Sequence, residues 1–429
     1  MICDNISRRG DTLFFAGQDT AELARQYSTP LYLMDEDKIR ENCRNYKKAL
    51  DEAMPGSYAL YASKACSFKR MYEIVGQEGL GIDAVSIGEL YTAKMAGFDM
   101  SKAYFQGNNK TDCDIETAIS WGVGYFVCDN IEEVDAISQI AGEMGVTQKI
   151  LLRLTPGIDP HTYDEVATGK VDSKFGTAIE TGQAEEIVAH TLTLPNISLE
   201  GIHCHVGSLV FESSVFNRST CVMLEFADSI RQKYGYIFKI LDLGGGYGVR
   251  YTHEDPYIDV YENVVEVCGV VKNVCEKLGY PLPSLRLEPG RSIVADAGMT
   301  LYTVGTVKRI RGYKNYVSVD GGMTDNPRYA LYGSSYTVYT ANKADACTLT
   351  ADLVGRCCES GDIIQPNVKF PDSIMRGDIV AVATTGAYNY SMASNYNRLA
   401  RPAVVMLSRG QSYVAVERES LEDLIRLDK

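Results

Sequence analysis

The chain has 429 residues, more than one hydrophobic core usually serves, so two domains, or one large barrel with an appendage, are expected. Hydrophobic residues make up 45% and charged residues 23%, and with 38 Gly and 13 Pro this composition excludes a disordered or fibrous protein. The net charge of -14, from 42 Lys and Arg against 56 Asp and Glu, has the wrong sign for binding nucleic acid through phosphates, so no nucleic-acid partner is predicted.

The start of the chain and its cysteines indicate where the protein works. No apolar run reaches the length of a membrane span, and the first residues, MICDNISRRGDTLFF, lack the charged-then-apolar layout of a secretory signal. The 12 cysteines are scattered without a C-x-x-C pair, so neither a zinc ribbon nor a redox dithiol is predicted. We therefore expect a cytoplasmic protein with reduced thiols and no membrane partner.

A repeated pattern of a short β-branched or aromatic run, a turn and an amphipathic helix extends over residues 31–284. Eight such units predict a closed parallel (β/α)8 barrel, similar to a TIM barrel, rather than an open doubly wound sheet. The predicted strands are Tyr58–Tyr61, Gly81–Val85, Ala103–Gln106, Gly124–Val127, Lys149–Leu154, Leu199–His205, Lys239–Leu243 and Leu285–Glu288.

One helix of this region has readable start and stop signals. Asn130 followed three residues later by Glu133 is typical of a capping box at a helix start. Gly142 and Gly145 lie where that helix should end.

The pattern changes after residue 288 to short alternating runs such as TLYTVGTVKRI and YKNYVSVDGG. Such alternation with Gly and Pro punctuation is typical of antiparallel strands. We predict a second, antiparallel β domain, a sandwich or barrel-like fold, formed by residues 285–429 together with residues 1–30, which precede the first barrel strand.

Polar residues follow the predicted barrel strands, at the end where barrel enzymes place their chemistry. Lys64, directly after one strand, could form a Schiff base with a carbonyl, although a solvated loop lysine fits the same short pattern. The three glycines of LDLGGGYG could form a phosphate-binding nest or a tight turn that needs positive φ. The set comprises Lys64, Asp83, residues 106–109, Asp129, Arg153, His205, Gly244, Gly245, Gly246 and Glu288.

The segment HCHVGS carries His203 and His205 near the end of a strand. Two histidines could form half of a metal site, but a catalytic zinc would need carboxylates from elsewhere, so no metal is predicted. An imidazole at this place can instead stack on a planar cofactor, and Ser208 can bind a phosphate oxygen. In LRLEPGRS, Glu288 could hold a pyridinium N–H, whereas a surface ion pair with Arg291 is the structural alternative.

Three motifs of the β domain add candidate substrate-binding groups. Cys358 and Glu359, in GRCCESGD, offer a proton donor and a partner for an ammonium group, although a buried structural cysteine is the default for any single Cys. Arg328, in DNPRYALYG, has the planar fork that suits a carboxylate. Tyr388 follows a glycine turn in TTGAYNYSMASNYN.

Together these motifs resemble the fold type III pyridoxal-phosphate decarboxylases, the class II ornithine, lysine and arginine decarboxylase family with an alanine-racemase-like fold, and within it the branch that acts on meso-2,6-diaminopimelate. The resemblance covers nearly the whole chain, because nine motifs occur in family order. They are YASKACS, GIDAVSIGEL, TPGIDPHTYDEVATGKVDSKFG, HCHVGS, LDLGGGYG, EPGRSIVADAG, DGGMTDNPRYALYG, CCESGD and GAYNYSMASNYN.

The resemblance implies a role for each matching residue. Lys64 would form the Schiff base with pyridoxal 5'-phosphate, His205 would stack on its ring, and Cys358 would donate a proton. Cofactor contacts would come from Lys64, Asp83, His205, Ser208, Gly244, Gly245, Gly246, Glu288, Gly290, Arg291 and Tyr388. Substrate contacts would come from Arg291, Arg328, Tyr332, Glu359 and Tyr388. Cys66 and Leu209 depart from the family, which commonly has Asn and Gln at these positions near the cofactor.

The activity implied is decarboxylation of meso-2,6-diaminopimelate to L-lysine, the last step of lysine biosynthesis, in a homodimer whose subunits share their active sites. An ornithine, lysine or arginine decarboxylase of the same fold is the nearest rival, but its substrate gives Arg328 no second carboxylate to bind. A catalytically silent regulatory homologue is a second rival. A metal-dependent barrel hydrolase and an amino-acid racemase are further alternatives, and the racemase would need a second base that the sequence does not show.

Overall fold

A computed structural model describes residues 1–158 and 173–429 of the chain. The strands are β1 (Ile6–Arg9), β2 (Thr12–Phe15), β3 (Gln18–Asp19), β4 (Leu31–Asp35), β5 (Tyr58–Ala62), β6 (Gly81–Ala84), β7 (Ala103–Phe105), β8 (Tyr125–Cys128), β9 (Gln148–Thr155), β10 (Thr177–Ala178), β11 (Ile197–His203), β12 (Ile240–Asp242), β13 (Ser284–Leu287), β14 (Gly298–Ile310), β15 (Lys314–Val319), β16 (Val338–Thr340), β17 (Leu349–Val354), β18 (Ile363–Phe370), β19 (Ile379–Ala383), β20 (Ala403–Ser408) and β21 (Gln411–Val416).

The α-helices are α1 (Thr20–Tyr27), α2 (Glu36–Ala53), α3 (Lys69–Gln77), α4 (Ile87–Met95), α5 (Asp112–Ser120), α6 (Ile131–Glu143), α7 (Gln183–Thr191), α8 (Ser213–Tyr234), α9 (Val260–Leu278), α10 (Arg291–Val294), α11 (Arg328–Tyr332) and α12 (Leu421–Ile425). Short 3-10 helices cover Ser63–Ala65, Met100–Lys102, Tyr390–Met392 and Tyr396–Arg398. None of the helices in the described ranges combines the length and apolar character that crossing a membrane requires. Part of the motif at 155–176, namely residues 159–172 with His161, lies outside the described residues.

The chain divides into two compact units. The barrel unit comprises residues 42–248 and 258–292, and the sheet unit comprises residues 1–41, 249–257 and 293–429.

The barrel unit is a closed ring of eight parallel strands, as the βα pattern predicted. Each strand pairs with the next in the order β5-β6-β7-β8-β9-β11-β12-β13, and β13 pairs with β5 to close the ring. The short strand β10 pairs with β9 beside the ring. Inside, Leu60, Tyr104, Val127, Leu151 and Ile240 form a buried cluster.

The end of the barrel away from the polar strand ends is filled by aromatic rings around one arginine. The Arg286 guanidinium lies 3.6 Å from the centroid of the Tyr58 ring and donates a hydrogen bond of 3.0 Å to the Tyr104 hydroxyl. Tyr104 stacks on Tyr125 with centroids 4.4 Å apart. Because side chains alternate along a strand, Arg286 in β13 and Glu288 just after it face the same side.

The sheet unit is built on a mixed sheet rather than a purely antiparallel one. Strands β18-β17-β15-β14-β4-β20-β21 are hydrogen-bonded in that order, and β4 with β20 and β15 with β17 form parallel pairs. Strands β1, β2 and β3 form a separate small antiparallel sheet. The core joins apolar side chains of residues 2–33 to those of β14, β19 and β20.

The strand Leu31–Asp35 lies inside the range 31–284 expected for the barrel, but it pairs with β14 and β20. Its five residues, LYLMD, are all buried, as in a strand covered on both faces. The sheet unit accordingly extends to Glu41 and resumes at Val249–Tyr257 and again at Ile293. The sequence pattern did not indicate that β4 belongs to the sheet unit, because β4 is as apolar as a barrel strand.

Candidate active site

Polar side chains meet at the carboxyl ends of the barrel strands, where the loops to the helices begin. Lys64 follows β5 directly in the 3-10 turn Ser63–Ala65, and Glu288 follows β13. Asp83 lies near the end of β6, and His203 and Asp242 are the last residues of β11 and β12. Closure of the ring brings these ends, distant in sequence, to one mouth.

Lys64 is exposed, and its charge acts on buried groups of this mouth. Burial raises the pKa of Asp83 and the pKa of Glu288, and the nearby Lys64 ammonium lowers both. Burial lowers the pKa of His205 well below its usual value, and the Lys64 charge adds to that effect. An accessible amine beside carboxyl groups and a neutral imidazole can condense with a carbonyl compound.

Glu288 is buried, with 6% of its surface exposed, and both carboxyl oxygens have partners. The Gln106 amide donates to Oε1, and His203 Nε2 lies 3.2 Å from Oε2. Burial and then the charge of Asp83 raise the pKa of Glu288 to about 8. Because Arg291 is also buried, at 5% exposure, a surface ion pair between these two residues is excluded.

His203 and Asp242 are fully buried next to Glu288. Burial lowers the pKa of His203 to about 4, so its ring is neutral at neutral pH. Burial and the Glu288 charge raise the pKa of Asp242 well above its usual value. Ligand atoms of the three residues lie within 4.8 Å of one another, a donor set that a divalent metal could also use. This set differs from the His203 and His205 pair considered from the sequence.

His205 lies beyond the end of β11 and contacts the glycine turn that follows β12. The backbone N–H of Gly245 donates to His205 Nδ1 at 3.3 Å. Gly244 and Gly246 have φ of 67° and 116°, so the turn does need positive φ. A Cβ on Gly245 or Gly246 would lie 2.0 Å from the carbonyl oxygen of Glu288 or Gly207. Only glycine lets three backbone segments meet here.

Ser208 and Arg291 form a second polar pair of the barrel unit. Arg291 Nη2 donates to Ser208 Oγ at 3.0 Å, and Nε approaches the same oxygen at 3.4 Å. Gly290 lies against β5 and the turn after it, because its Cβ would be 3.0 Å from that of Ala62 and 3.1 Å from that of Ala65. A hydroxyl beside a guanidinium is a suitable environment for a phosphate or carboxylate.

The two residues that depart from the family pattern have distinct environments. The Cys66 thiol is buried, and burial raises its pKa to about 12, so it is an inert thiol. The Tyr61 hydroxyl donates to the Cys66 backbone carbonyl at 2.8 Å. Leu209 adopts φ of 60°, which is unusual for a leucine and indicates local backbone strain.

The candidate substrate residues Arg328, Tyr332 and Tyr388 lie together within the sheet unit. The Arg328 guanidinium carbon is 5.5 Å from the Tyr332 ring centroid and 5.4 Å from that of Tyr388. Arg328 is 4% exposed and donates to Ser334 Oγ at 3.3 Å, while its Nε has no hydrogen-bond partner among the described residues. A buried guanidinium with an unused donor can accept a further anionic partner.

Cys358 and Glu359 are exposed in the sheet unit, whereas the neighbouring Cys357 is buried. The Cys358 backbone N–H donates to Asn397 Oδ1 at 2.7 Å, and that of Cys357 donates to Asp362 Oδ2 at 2.7 Å. The default of a buried structural thiol therefore applies to Cys357 and not to Cys358. The roles of Cys358 and Glu359 stay predictions.

Asp242 and the contact of His203 with Glu288 were not predicted, and Gln106 was in the set of polar residues after the strands without a role of its own. Each is a polar residue at or just after the carboxyl end of a barrel strand. That position is the signal that could have found them, since a buried polar side chain there needs a partner. Arg153, which lies 4.5 Å from the centroid of the Phe175 ring and 4.0 Å from Asp129 Oδ1, is a further charged residue of β9 at this end.

Comparison with known proteins assigns the chain to a family. A family model described as the pyridoxal binding domain of pyridoxal-dependent decarboxylases matches residues 36–295. Diaminopimelate decarboxylase of Bacillus subtilis (strain 168) is 42% identical over 417 residues, covering 97% of this chain and 95% of the relative. The Staphylococcus aureus (strain COL) protein of the same name is 39% identical, covering 94% of each.

Solved structures agree with these relatives. Diaminopimelate decarboxylase of M. jannaschii, in complex with L-lysine, superposes with a TM-score of 0.92 at 31% identity, covering 100% of this chain and 98% of that one. The Helicobacter pylori enzyme, also with L-lysine, has a TM-score of 0.87 at 30% identity, covering 95% and 98%. The chain thus belongs to the pyridoxal-dependent decarboxylase family, in the group of the diaminopimelate decarboxylases.

Proposed function

We propose that this protein decarboxylates meso-2,6-diaminopimelate to L-lysine and carbon dioxide, using pyridoxal 5'-phosphate. The observation that carries the proposal is the pairing, at one barrel mouth, of the accessible Lys64 amine with the buried Glu288 carboxyl. Relatives at about 40% identity over nearly the full length are named for this reaction.

The residues of the barrel unit fit the cofactor group by group. Lys64 supplies an amine for the aldehyde, and Glu288 supplies a buried acceptor for the ring nitrogen. Ser208 offers a hydroxyl to a phosphate, and the glycine turn, where a Cβ at Gly245 or Gly246 would collide with backbone, would let the chain approach the phosphate closely. When bound, pyridoxal phosphate supplies an electron-withdrawing ring that accepts the electron pair left by departing carbon dioxide.

Each barrel residue then has a definite task. Lys64 would hold the cofactor through its aldehyde group. Glu288 would keep a proton on the ring nitrogen of a bound cofactor, because a buried carboxylate favours a cationic partner. His205, neutral because burial and Lys64 lower its pKa, can pack on a ring without adding charge.

We further propose that the sheet unit binds the distal amino-acid end of the substrate. Arg328 would bind the distal carboxylate, supported by its buried guanidinium and unused Nε, and Glu359 would bind the distal ammonium. Tyr332 and Tyr388 would line this subsite, and Arg291 is likewise proposed to contact the substrate. Cys358 would return a proton to the substrate carbon, which its exposed thiol permits.

The assembly proposed is a homodimer in which Cys358 of one subunit acts in the active site of its partner. This arrangement follows from the family resemblance. A cytoplasmic location likewise stays a prediction of the sequence.

The decisive experiment is a substrate panel with added pyridoxal phosphate. Carbon dioxide release is measured with meso-diaminopimelate and with L-ornithine, which lacks the second carboxylate. We expect release from diaminopimelate and little from ornithine, because the Arg328 charge would be left unpaired by ornithine. Preference for ornithine would overturn the assignment of diaminopimelate as the substrate. Cofactor binding without carbon dioxide release from either compound would identify a catalytically silent homologue.

Borohydride trapping tests the role of Lys64 directly. Reduction of the loaded protein should attach the pyridoxyl group to the peptide that contains Lys64. The variant Lys64→Ala should lose both the label and the activity, whereas Lys69→Ala, at the exposed start of α3, should keep both. A pyridoxyl group attached to another lysine in the wild-type protein would show that Lys64 does not bind the cofactor.

A further inference from the structure

The contacts of Glu288 extend beyond the groups that the proposed function uses. Gln106 follows β7, and its backbone N–H is bonded to the carbonyl of Ala84 at 2.8 Å, which fixes it next to β6. His203 ends β11 and is fully buried. Their side chains reach different oxygens of Glu288, Oε1 for Gln106 and Oε2 for His203. Two separate elements therefore hold one carboxyl group.

The protonation of His203 decides what it can do for Glu288. A neutral imidazole has one N–H, and His203 Nδ1 is buried without a hydrogen-bond partner in the described part of the chain. With the hydrogen on Nε2, His203 donates to Glu288 Oε2, and this bond is stronger when the carboxyl group is ionised. With the hydrogen on Nδ1, His203 Nε2 can only accept, which requires a protonated Glu288 and leaves a buried N–H unpaired. The first arrangement satisfies more groups.

The charged groups around Glu288 do not decide which nitrogen of His203 carries the hydrogen, so hydrogen bonding decides it. Six charged or titratable groups interact with Glu288 from the neighbouring elements: Lys64, Asp83, Arg153, His203, Cys204 and Asp242. Burial and the Glu288 charge favour the neutral form of Asp242, so that residue does not repel an ionised Glu288. Asp242 is itself fixed, because its Oδ1 accepts the Gly244 N–H at 2.9 Å.

We infer that Gln106 and His203 are positioning residues that hold Glu288 as an ionised acceptor for the cofactor's ring nitrogen, with His203 donating from Nε2. The inference rests on the proposed function and deepens it. A carboxylate offers about four acceptor positions, so donors from Gln106, His203 and a neutral Asp242, whose side chain is also hydrogen-bonded to Glu288, still leave one for the ring N–H. Neither residue touches the reacting atoms; both act through Glu288.

The test uses the full chain and four variants. His203→Leu and Gln106→Leu remove the donors at similar volume, while His203→Gln keeps an N–H donor at comparable reach. Gln148→Leu is the matched control, because Gln148 is an equally buried glutamine of the barrel whose amide donates to the carbonyls of Val123, Gly124 and Lys149 instead. Thermal melting of each cofactor-free variant shows whether it folds.

Two readouts report on Glu288 rather than on folding: the dissociation constant of pyridoxal phosphate and the pH dependence of its visible absorbance when bound. Each Leu variant should weaken binding about tenfold, the loss expected for one hydrogen bond to a charged group. Each should also shift the spectral titration and lower kcat with KM for diaminopimelate little changed. His203→Gln should recover most of these losses, and Gln148→Leu should lower the melting temperature without changing the spectrum.

The outcomes separate this inference from the proposed function. Folded Leu variants with the wild-type dissociation constant and spectrum would overturn the positioning role. A His203→Gln variant no better than His203→Leu would overturn the donor role of Nε2. If His203→Leu fails to fold, Gln106→Leu and His203→Gln still decide. A wild-type protein that does not bind pyridoxal phosphate would instead overturn the proposed function.

Discussion

Glu288 couples the pH dependence of stability to the cofactor site. Its pKa is raised to about 8 in the folded, cofactor-free protein, whereas an unfolded glutamate titrates near its ordinary value of about 4.3. Between these pH values the unfolded chain ionises Glu288, whereas the cofactor-free folded chain, which has no ring nitrogen to pair with this carboxyl group, does not. Folding therefore becomes less favourable as pH rises through this window, and the penalty is complete above the folded pKa.

The variant Glu288→Gln removes this penalty. We expect cofactor-free Glu288→Gln to gain stability relative to the wild-type protein as pH rises from 5 to 8, by at least about 1 kcal/mol. Thermal melting of both proteins at the two pH values measures the difference. A difference that is constant with pH would show that Glu288 is already ionised in the folded state at pH 5.

Cys358 provides a residue-scale test of proton donation. Because its thiol is exposed, Cys358→Ala should leave the melting temperature almost unchanged. If Cys358 donates the proton, kcat should fall by about 10²- to 10⁴-fold. Cys113→Ala, at another exposed cysteine, is the control and should retain full activity. Equal activity of the two variants would assign proton donation to another group.

Single residues also show where sequence interpretation stops. Lys64, Asp83 and Glu288 could be selected because they are charged residues at strand ends, where barrel enzymes place chemistry. The contacts of Gln106 and His203 with Glu288 could not, since they join residues 182 and 85 positions apart and depend on the closed ring. The exposure of Cys358 and the burial of Cys357 likewise depend on Asp362 and Asn397, which hold the two backbone N–H groups.

At the scale of elements, the start of α6 is more elaborate than its capping signal. Asn130 Oδ1 accepts the N–H of Glu133 at 2.9 Å, as predicted. The Glu133 carboxylate, however, accepts the N–H of Asp129 rather than that of Asn130. It also pairs with Lys110 at 2.5 Å, where both side chains are at most 5% exposed. The helix start is thus tied to the segment after β7.

Breaking the buried ion pair of Lys110 and Glu133 should lower the free energy of unfolding substantially. Glu133→Gln would leave the Lys110 ammonium buried without its counter-ion, and we expect a loss of about 3–5 kcal/mol in the free energy of unfolding. The control is Asp51→Asn in the exposed pair of Lys47 and Asp51 on α2, where about 0.5 kcal/mol or less is expected. Urea unfolding of both variants measures the two losses. Similar values for both would show that the Lys110 charge finds another partner.

The glycine turn after β12 should tolerate no side chain. In Gly245→Ala the added Cβ would lie 2.0 Å from the Glu288 carbonyl oxygen, so the turn must move, with a loss of about 1–3 kcal/mol and weakened binding of pyridoxal phosphate. Gly269→Ala is the control, because nothing lies within 4 Å of a Cβ at this position of α9 and alanine favours helix. Melting temperature and cofactor titration of both variants provide the test. Unchanged cofactor binding in Gly245→Ala would show that the turn does not hold the phosphate.

Element order in the barrel could be predicted, and strand ends only within a few residues. The β8 strand begins at Tyr125 instead of Gly124, and β11 ends at His203 instead of His205. Hydrophobic periodicity in the sequence indicates that a strand is present. It does not mark the residue at which a neighbour's hydrogen bonds end, which depends on pairing between strands far apart in the chain.

For the whole molecule, the dimer proposal has a direct test by subunit mixing. Lys64→Ala and Cys358→Ala should each be inactive or nearly so alone. If the active sites are shared between subunits, mixed dimers contain one site with both residues intact, so activity should reappear after the two proteins are dissociated and reassociated together. Activity that never exceeds the sum of the two separate variants would indicate that each chain uses its own Cys358.

The division of the chain into units could be predicted only in outline. The βα repeat and the later alternation indicated two folds, but the exchange of Leu31–Asp35 into the mixed sheet required pairing with residues 298–301 and 403–407. Such long-range parallel and antiparallel pairing leaves no local pattern in an apolar strand.

The pairing of β4 with β14 and β20 also determines when β4 can find its partners during synthesis. Strand β4 emerges from the ribosome early, yet both strands that flank it, β14 and β20, are made after the entire barrel. Until then an apolar segment, LYLMD, has unpaired edges on both sides. The nascent chain must keep this segment from aggregating while translation proceeds, so a chaperone that binds short apolar segments should find its target near the amino terminus.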